Sequence, residues 1–411
     1  MSVNHDQENG LGSDGHDKDS RDGFIALAEG FRRRFAAGAA RRDSQRALPH
    51  EEIQALRQSG LLSMRVPREY GGREADLVTF SRVIRLLAAG DPNIAQAIAP
   101  QFANLEKLRL YGTPAQQRRY FDLALDGAMM SNAAAEREGV FIGDVATRLV
   151  RDNGIWRLRG RKYYSTGSLF SSIILVTAQH EEGGRAAVFV PVDRPGVTVG
   201  DDWDGMGQRT TASGTSEFDN VRVDEGEILR IPAYGHRRTH EGGFAQLIHA
   251  SIDAGIALAA LEDACAYGRK QARAPRESGV GGATADPYVL HTVGEMAIIA
   301  HGAETLLERG ALLLDNALRA EWAGGAESDR LLGEASIAVA EAKYATSEAA
   351  VRVSEMIYRI GGASATSAAL NLDRHWRNAR THTTHDPVAY KARAVGDFYL
   401  NGALPPINTK I

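Results

Sequence analysis

TRLVRDNGIWRLRGRKYYSTG, residues Thr147 to Gly167, alternates apolar and polar side chains on both sides of Asn153-Gly154. Alternation with a period of two marks a half-buried strand. Asn-Gly between two such runs is the turn that closes a hairpin. The next stretch, SIILVTAQHEEGGRAAVFVPV (Ser172 to Val192), repeats the device with Gly183-Gly184 in the turn, and GVTVG (Gly196 to Gly200) and SEFDNVRV (Ser216 to Val223) add short strands. No long helical pattern interrupts them. An antiparallel sheet or small barrel is therefore expected, not a βαβ sheet.

Helical patterns lie on either side. Upstream, FIALAEGFRRRFAAGAARR (Phe24 to Arg42) and EEIQALRQSG (Glu51 to Gly60) carry apolar residues at helical spacing, the second ending on glycine. Asp91-Pro92 reads as an N-cap followed by proline at the first helical position, and Pro100 is expected to bend or break the helix it opens. Downstream lie FAQLIHASIDAGIALAALEDACAYGRKQ (Phe244 to Gln271), the run Pro287 to Trp322, the run Asp329 to Ile360, and VAYKARAVGDFYL (Val388 to Leu400). The long ones would extend about 40–50 Å each and suggest an antiparallel four-helix bundle. The expected fold class is α+β, divided as a disordered polar tail (1–22), an N-terminal helical domain (23–127), a central β domain (128–232) and a C-terminal bundle (233–411).

The totals exclude several functions. A net charge of −4 does not resemble the basic footprint of a nucleic-acid binder. The single cysteine, Cys265, allows neither an internal disulfide nor a thiolate metal cluster, and suits a reducing cytoplasm. No apolar run approaches a bilayer span, and the N-terminus lacks the basic start and apolar core of a signal peptide. There is no GxxxxGK[ST] loop, no HExxH and no GxSxG. The glycines of SGVGGATADP (Ser278 to Pro287) follow a helical pattern, not a strand, and so do not make a dinucleotide fold.

RNARTHTTHDP (Arg377 to Pro387) concentrates the remaining chemistry. His382 and His385 stand three apart, close enough to share a helix face, but Asp386-Pro387 ends the run. No carboxylate or third histidine in the neighbourhood completes a metal triad, so an acid–base role is preferred to a metal site.

GLLSMRVPREYGG (Gly60 to Gly72) resembles the N-terminal loop of acyl-CoA dehydrogenases, and helices, β domain, then four-helix bundle is that family's order. DDWDGMGQRTTASGTSEFDNVRV (Asp201 to Val223) and RHWRNARTHTTHDPVAYKARAVGDFYLNGALPP (Arg374 to Pro406) are similar to the family's flavin-dependent monooxygenase branch, that of the dibenzothiophene monooxygenases and sulfur-acquisition oxidoreductases. The resemblance implies an enzyme that takes reduced FMN from a separate NAD(P)H-dependent flavin reductase. With O2 it forms a C4a-hydroperoxyflavin and oxygenates an organosulfur compound. Amine N-hydroxylation is the near variant, and FAD-dependent acyl-CoA dehydrogenation the other family activity. A catalytically idle member is the reading from another class. The family also implies a homotetramer, a dimer of dimers.

The same resemblance assigns candidate residues. His385 matches the acid–base histidine, with His382 second; they replace the run that carries the catalytic glutamate of many dehydrogenases. Asn132, in SNAAAE, matches an asparagine at the flavin's reactive edge, and Thr166 a hydroxyl near flavin N5, with Ser165 expected on the opposite face of a strand. Tyr164 and Trp203 would pack on the ring or line the substrate pocket. Arg273 lies near the phosphate-binding arginine, with Arg377 as an alternative, and Gly361-Gly362 matches a diglycine that reaches the cofactor from a neighbouring subunit. Gln101 and Phe102 stand on the substrate side, where relatives carry histidine. No residue is assigned to a metal.

Overall fold

The structure is a computed structural model that describes residues 11–138, 141, 143–232, 237–408 and 410–411. Five helices come first: α1 (Leu11–Gln45), α2 (His50–Ser59), α3 (Leu77–Gly90), α4 (Pro92–Tyr111) and α5 (Pro114–Leu125). Local chemistry sets their ends. Gly60 caps α2 at φ 80°, in the left-handed region where glycine pays no steric cost. The Asp76 and Asp91 side chains accept from the backbone N–H groups of Thr79 and Asn93 to start α3 and α4. Two expectations change. Residues 1–10, with His5, lie outside the described residues, but from Leu11 the segment expected to be a disordered tail is helical. Arg21 ties it to α3 through Asp76 and Thr79, each at 3.0 Å. Pro100 does not break α4, which runs on to Tyr111. Ile94 to Phe102 is buried throughout, and that packing outweighs a cost of about 3 kcal/mol for an internal proline.

Among the described residues eight strands follow: β1 (Met130–Ala133), β2 (Arg148–Asp152), β3 (Ile155–Lys162), β4 (Ile173–His180), β5 (Arg185–Pro191), β6 (Val197–Val199), β7 (Ser216–Val223) and β8 (Ile228–Arg230). Both hairpin turns form where expected, with Asn153 and Gly154 at φ 50° and 80° and Gly183 and Gly184 at 99° and 77°. The sheet, in the order β6-β7-β3-β2-β4-β5-β8, is mostly antiparallel, not wholly so: β1 and β2 pair in parallel with the two ends of β4. Alternation along β4 and β5 divides two cores. Ile173, Leu175, Ala187 and Phe189 join the helices, while Ile174, Val176, Val188 and Val190 pack inside the sheet domain with Trp156 and Phe218.

The last third is α6 (Glu241–Lys270), α7 (Pro287–Trp322), α8 (Ser328–Gly361), α9 (Asp373–His382) and α10 (Ala389–Asn401). Contacts of Asp253 with Lys343 and of Tyr267 with Ser364 show that α6 and α8 run the same way, with α7 returning between them. The fourth position of the bundle is split between α9 and α10, because Asp386-Pro387 falls between them. Among the described residues α6 alone is long and apolar enough to match a bilayer span, and 83% of its apolar window is buried as the central bundle helix.

Candidate active site

Helix α4 runs along the seam where the sheet domain meets the bundle, hereafter the crevice. Its Asn93 Oδ1 accepts from the Thr210 N–H at 3.1 Å, and its Ala97 carbonyl lies only 2.3 Å from where a Cβ on Gly167 would stand. Backbone bonds from Ser165 to Gly214 and from Gly167 to Thr211 bring the turn after β3 beside the loop before β7. That loop reaches α9: Gln208 N–H donates to Asn378 Oδ1 at 2.7 Å and Gly207 N–H to Thr381 Oγ1 at 3.0 Å. Gly207 approaches so closely that a Cβ there would be 1.9 Å from the Arg377 carbonyl oxygen. Strand β1 adjoins through the 2.9 Å bond between Ser131 and Ser171.

Along this crevice buried polar atoms lack protein partners among the described residues: Asn132 Oδ1, Ser165 Oγ, Thr210 Oγ1 and both amide atoms of Gln208. Native interiors leave few such groups, so each needs a reason such as strain, water or a bound group. Gln208 also holds φ 53°, uncommon for a side chain of its kind. The expected strand does not include Ser165 and Thr166. β3 stops at Lys162, and Tyr164 turns the chain at φ 58°. The Thr166 hydroxyl is engaged with Ser213 at 2.9 Å, so the unpartnered hydroxyl belongs to Ser165. Tyr164 and Trp203 form one aromatic wall, ring centroids 6.0 Å apart, with the Trp203 indole donating to the Gln208 carbonyl at 2.7 Å.

The histidines end the crevice. His382 is buried, its Nδ1 2.6 Å from Asp253 Oδ1 and its Nε2 3.2 Å from both Gln96 Oε1 and His249 Nδ1. His249, from α6, is a third histidine that the local sequence did not announce. His385 follows in the exposed turn, its ring 4.0 Å from that of His249 and its Nδ1 3.3 Å from Asp386. Burial would raise the Asp253 pKa, but Lys343 Nζ at 2.6 Å and His382 outweigh it and hold the carboxyl ionised well below the usual range. Asp386 is likewise held down, against burial, by His385, His249 and Lys410. Burial pushes His249 well below an ordinary imidazole, reinforced by His385, His382 and Lys343. Burial also lowers His382, despite Asp253. Both imidazoles are therefore neutral near pH 7. Since Asp253 accepts from Nδ1–H, the neutral His382 ring carries no hydrogen on Nε2.

Several expected residues lie elsewhere. Gln101 is in the core: its amide nitrogen donates to the Leu62 carbonyl and its oxygen accepts from Met130 N–H at 2.7 Å, which uses it to dock β1 on α4. Phe102 packs edge-on against Phe80, also in the core. Arg377 does not offer a free guanidinium. It grips Asp43 with two nitrogens at 3.0 and 2.6 Å and also bonds Asp373, Asn371 and the Met206 carbonyl. Gly361 packs on Tyr267, and Arg273 is exposed beyond the end of α6. Along α6, Tyr267 is about 21 Å from Asp253 and Lys270 about 25 Å. Neither feature reaches the crevice of its own chain.

The family model for the acyl-CoA dehydrogenase N-terminal domain matches residues 24–128, that for the middle domain residues 133–221, and that for the C-terminal domain residues 247–389. This chain belongs to the acyl-CoA dehydrogenase family. Within the family it is 33% identical over 395 residues to dibenzothiophene monooxygenase of Rhodococcus qingshengii, covering 93% of this chain and 94% of the relative. It is also 33% identical over 388 residues to the probable FMNH2-dependent monooxygenase SfnC of Pseudomonas putida, covering 93% and 95%. FMN-bound TdsC from Paenibacillus sp. A11-2 superposes with a TM-score of 0.87 at 30% identity, over 94% of this chain and 100% of that one.

The crevice suits a flavin ring. It offers unpartnered donors and acceptors at Asn132, Ser165 and Gln208, and an aromatic wall at Tyr164 and Trp203. Neither candidate arginine offers a phosphate ligand to it: Arg377 is spent on Asp43 and Arg273 lies past the far end of α6.

Proposed function

We propose that this chain is the oxygenase of a two-component system. A separate NAD(P)H-dependent flavin reductase in the cytoplasm supplies reduced FMN, and a small organosulfur molecule is oxygenated. Bound reduced FMN would supply the two electrons with which O2 is divided, one oxygen atom going to sulfur and the other to water. Asn132 and Ser165 hydrogen-bond the ring edge, Tyr164 and Trp203 keep water from it, and His385 supplies a proton at the open end of the crevice.

One observation carries this reading over dehydrogenation. Removing an α-proton needs a base aimed at the substrate, and both carboxylates beside the histidines are committed. Asp253 is held by Lys343, Ser347 and His382, and Asp386 by Gln246, Lys410 and His385. What faces the crevice is imidazole, which suits proton delivery near neutral pH. A neighbouring copy supplies the phosphate end through Arg273 and Gly361-Gly362, in a homotetramer. The exposed apolar residues Tyr288, Leu290 and Ile298 on α7 support such contacts.

The test combines the purified chain with a flavin reductase, NADH, FMN and O2, and screens sulfides, sulfoxides, sulfones and amines by mass spectrometry for one added oxygen. Product from a sulfur compound, with protein colourless as isolated, is expected. Tightly bound FAD with desaturation of an acyl-CoA would overturn the proposal. His385→Ala should lose product and release hydrogen peroxide.

A further inference from the structure

We propose that His249 is a positioning residue with two separable tasks: its Nδ1–H holds His382 Nε2 in place, and its ring face seats His385. The inference rests on the monooxygenase reading for its consequence in turnover, but its geometry does not depend on that reading.

The argument begins with the hydrogens. Ionised Asp253 accepts from His382 Nδ1–H at 2.6 Å, which leaves His382 Nε2 bare while that ring is neutral. A bare buried nitrogen needs a donor; of the two atoms 3.2 Å from it, Gln96 Oε1 can only accept, which leaves His249 Nδ1. His249 therefore carries its single hydrogen on Nδ1, directed inward. What it offers His385 is its π face, with centroids 4.0 Å apart and planes 35° from parallel. The surroundings keep His249 uncharged. Lys343 faces it from α8, His382 from α9, and His385 and Asp386 from the following turn, while Asp253 lies one turn along on α6 itself. His249 thus holds one ring still and leaves the other the only imidazole of the three at the surface.

Two variants divide these tasks. His249→Phe keeps a ring under His385 and removes the hydrogen bond to His382. His249→Gln keeps a donor for His382 and removes the stack. In protein free of FMN, labelled on histidine, nitrogen-15 spectra report the hydrogen bonding of His382 Nε2 and carbon-13 relaxation reports the order of the His385 ring. His249→Phe should shift the His382 Nε2 resonance and spare His385 order; His249→Gln should do the reverse. In the coupled assay each should lower product formed per O2 by about tenfold, with KM for the sulfur compound moving less than about twofold. Identical spectra in wild type and both variants would overturn the proposal. So would the same disturbance in both, since a merely structural residue gives no division of effects. The spectra need neither cofactor nor substrate. If they divide as stated while no sulfur compound is ever oxygenated, the positioning role stands and the proposed function falls.

Discussion

Replacing Asp253 by Asn probes the buried charges on which the histidine cluster rests. Asp253 and Lys343 are both 0% exposed, with Nζ and Oδ2 2.6 Å apart. Two unit charges at that distance attract by about 6 kcal/mol at an effective dielectric of about 20. Much of this is offset by the cost of taking both out of water, but the asparagine variant keeps that cost for Lys343 and loses the attraction. Breaking such a pair from one side costs about 3–5 kcal/mol, whereas replacing both partners by apolar groups is often close to neutral. Asp253→Asn should therefore destabilise the protein by about 3–5 kcal/mol and Lys343→Met by a similar amount. The double variant Asp253→Asn with Lys343→Met should lose well under the sum of the two single changes. Urea unfolding followed by far-ultraviolet circular dichroism measures all three. The pH dependence has a definite sign. The Asp253 pKa is lowered in the fold, so its stabilisation is complete above the unfolded carboxyl value near 3.8 and disappears as pH falls towards the folded value. Single losses that add in the double variant would refute the claim that this pair is a coupled buried unit.

His240 gives the opposite pH dependence. It is buried between Glu106 and Glu321, at 3.0 and 2.8 Å, and these carboxylates raise its pKa against the effect of burial. Its contribution is present below about pH 6.5 and is lost as pH rises through the raised value, so His240→Gln should flatten the fall in urea midpoint between pH 6 and 9. Arg377→Ala leaves Asp43, which is 2% exposed, without its bidentate partner and should cost about 3 kcal/mol. FMN affinity per folded molecule should hold; a collapse of affinity at unchanged stability would restore Arg377 as a phosphate ligand. Gly207→Ala drives a methyl into the Arg377 carbonyl and should cost about 1–3 kcal/mol, weakening FMN binding as the loop lifts from α9, as read by fluorescence quenching.

What the sequence revealed follows from how far each residue's partners lie along the chain. Asn153-Gly154, Asp91-Pro92 and Gly60 act within four residues, and each forms the turn or cap expected of it. The family motifs carried the fold and the flavin chemistry, because they are long. The errors concern distant partners. The Gln101 amide serves Leu62 and Met130, and the Arg377 guanidinium serves Asp43, 334 positions away. Nothing near either residue announces this. The parallel seats of β1 and β2 on β4 are likewise set by packing, not by local pattern. Other signals were present and unread. His249 and Asp253 stand one turn apart in the otherwise apolar LIHASIDAGIALAAL (Leu247 to Leu261), and ionisable groups on a buried face require partners. Gln208 offered no such sign, since its backbone conformation and unpartnered amide appear only in three dimensions.

Glu136 stands four residues after Asn132. Its carboxylate takes hydrogens from Lys162 at 2.6 Å, from Ala146 N–H at 2.7 Å and from Thr147 N–H at 3.0 Å, which lowers its pKa to about 2 despite burial. The chain thus leaves and returns through one carboxylate, as cord through a ring. Whatever is threaded between Glu136 and Ala146 can be lengthened, shortened or exchanged without dragging Asn132 along its strand. Changes in that stretch then leave Asn132 in register with Leu175 of β4.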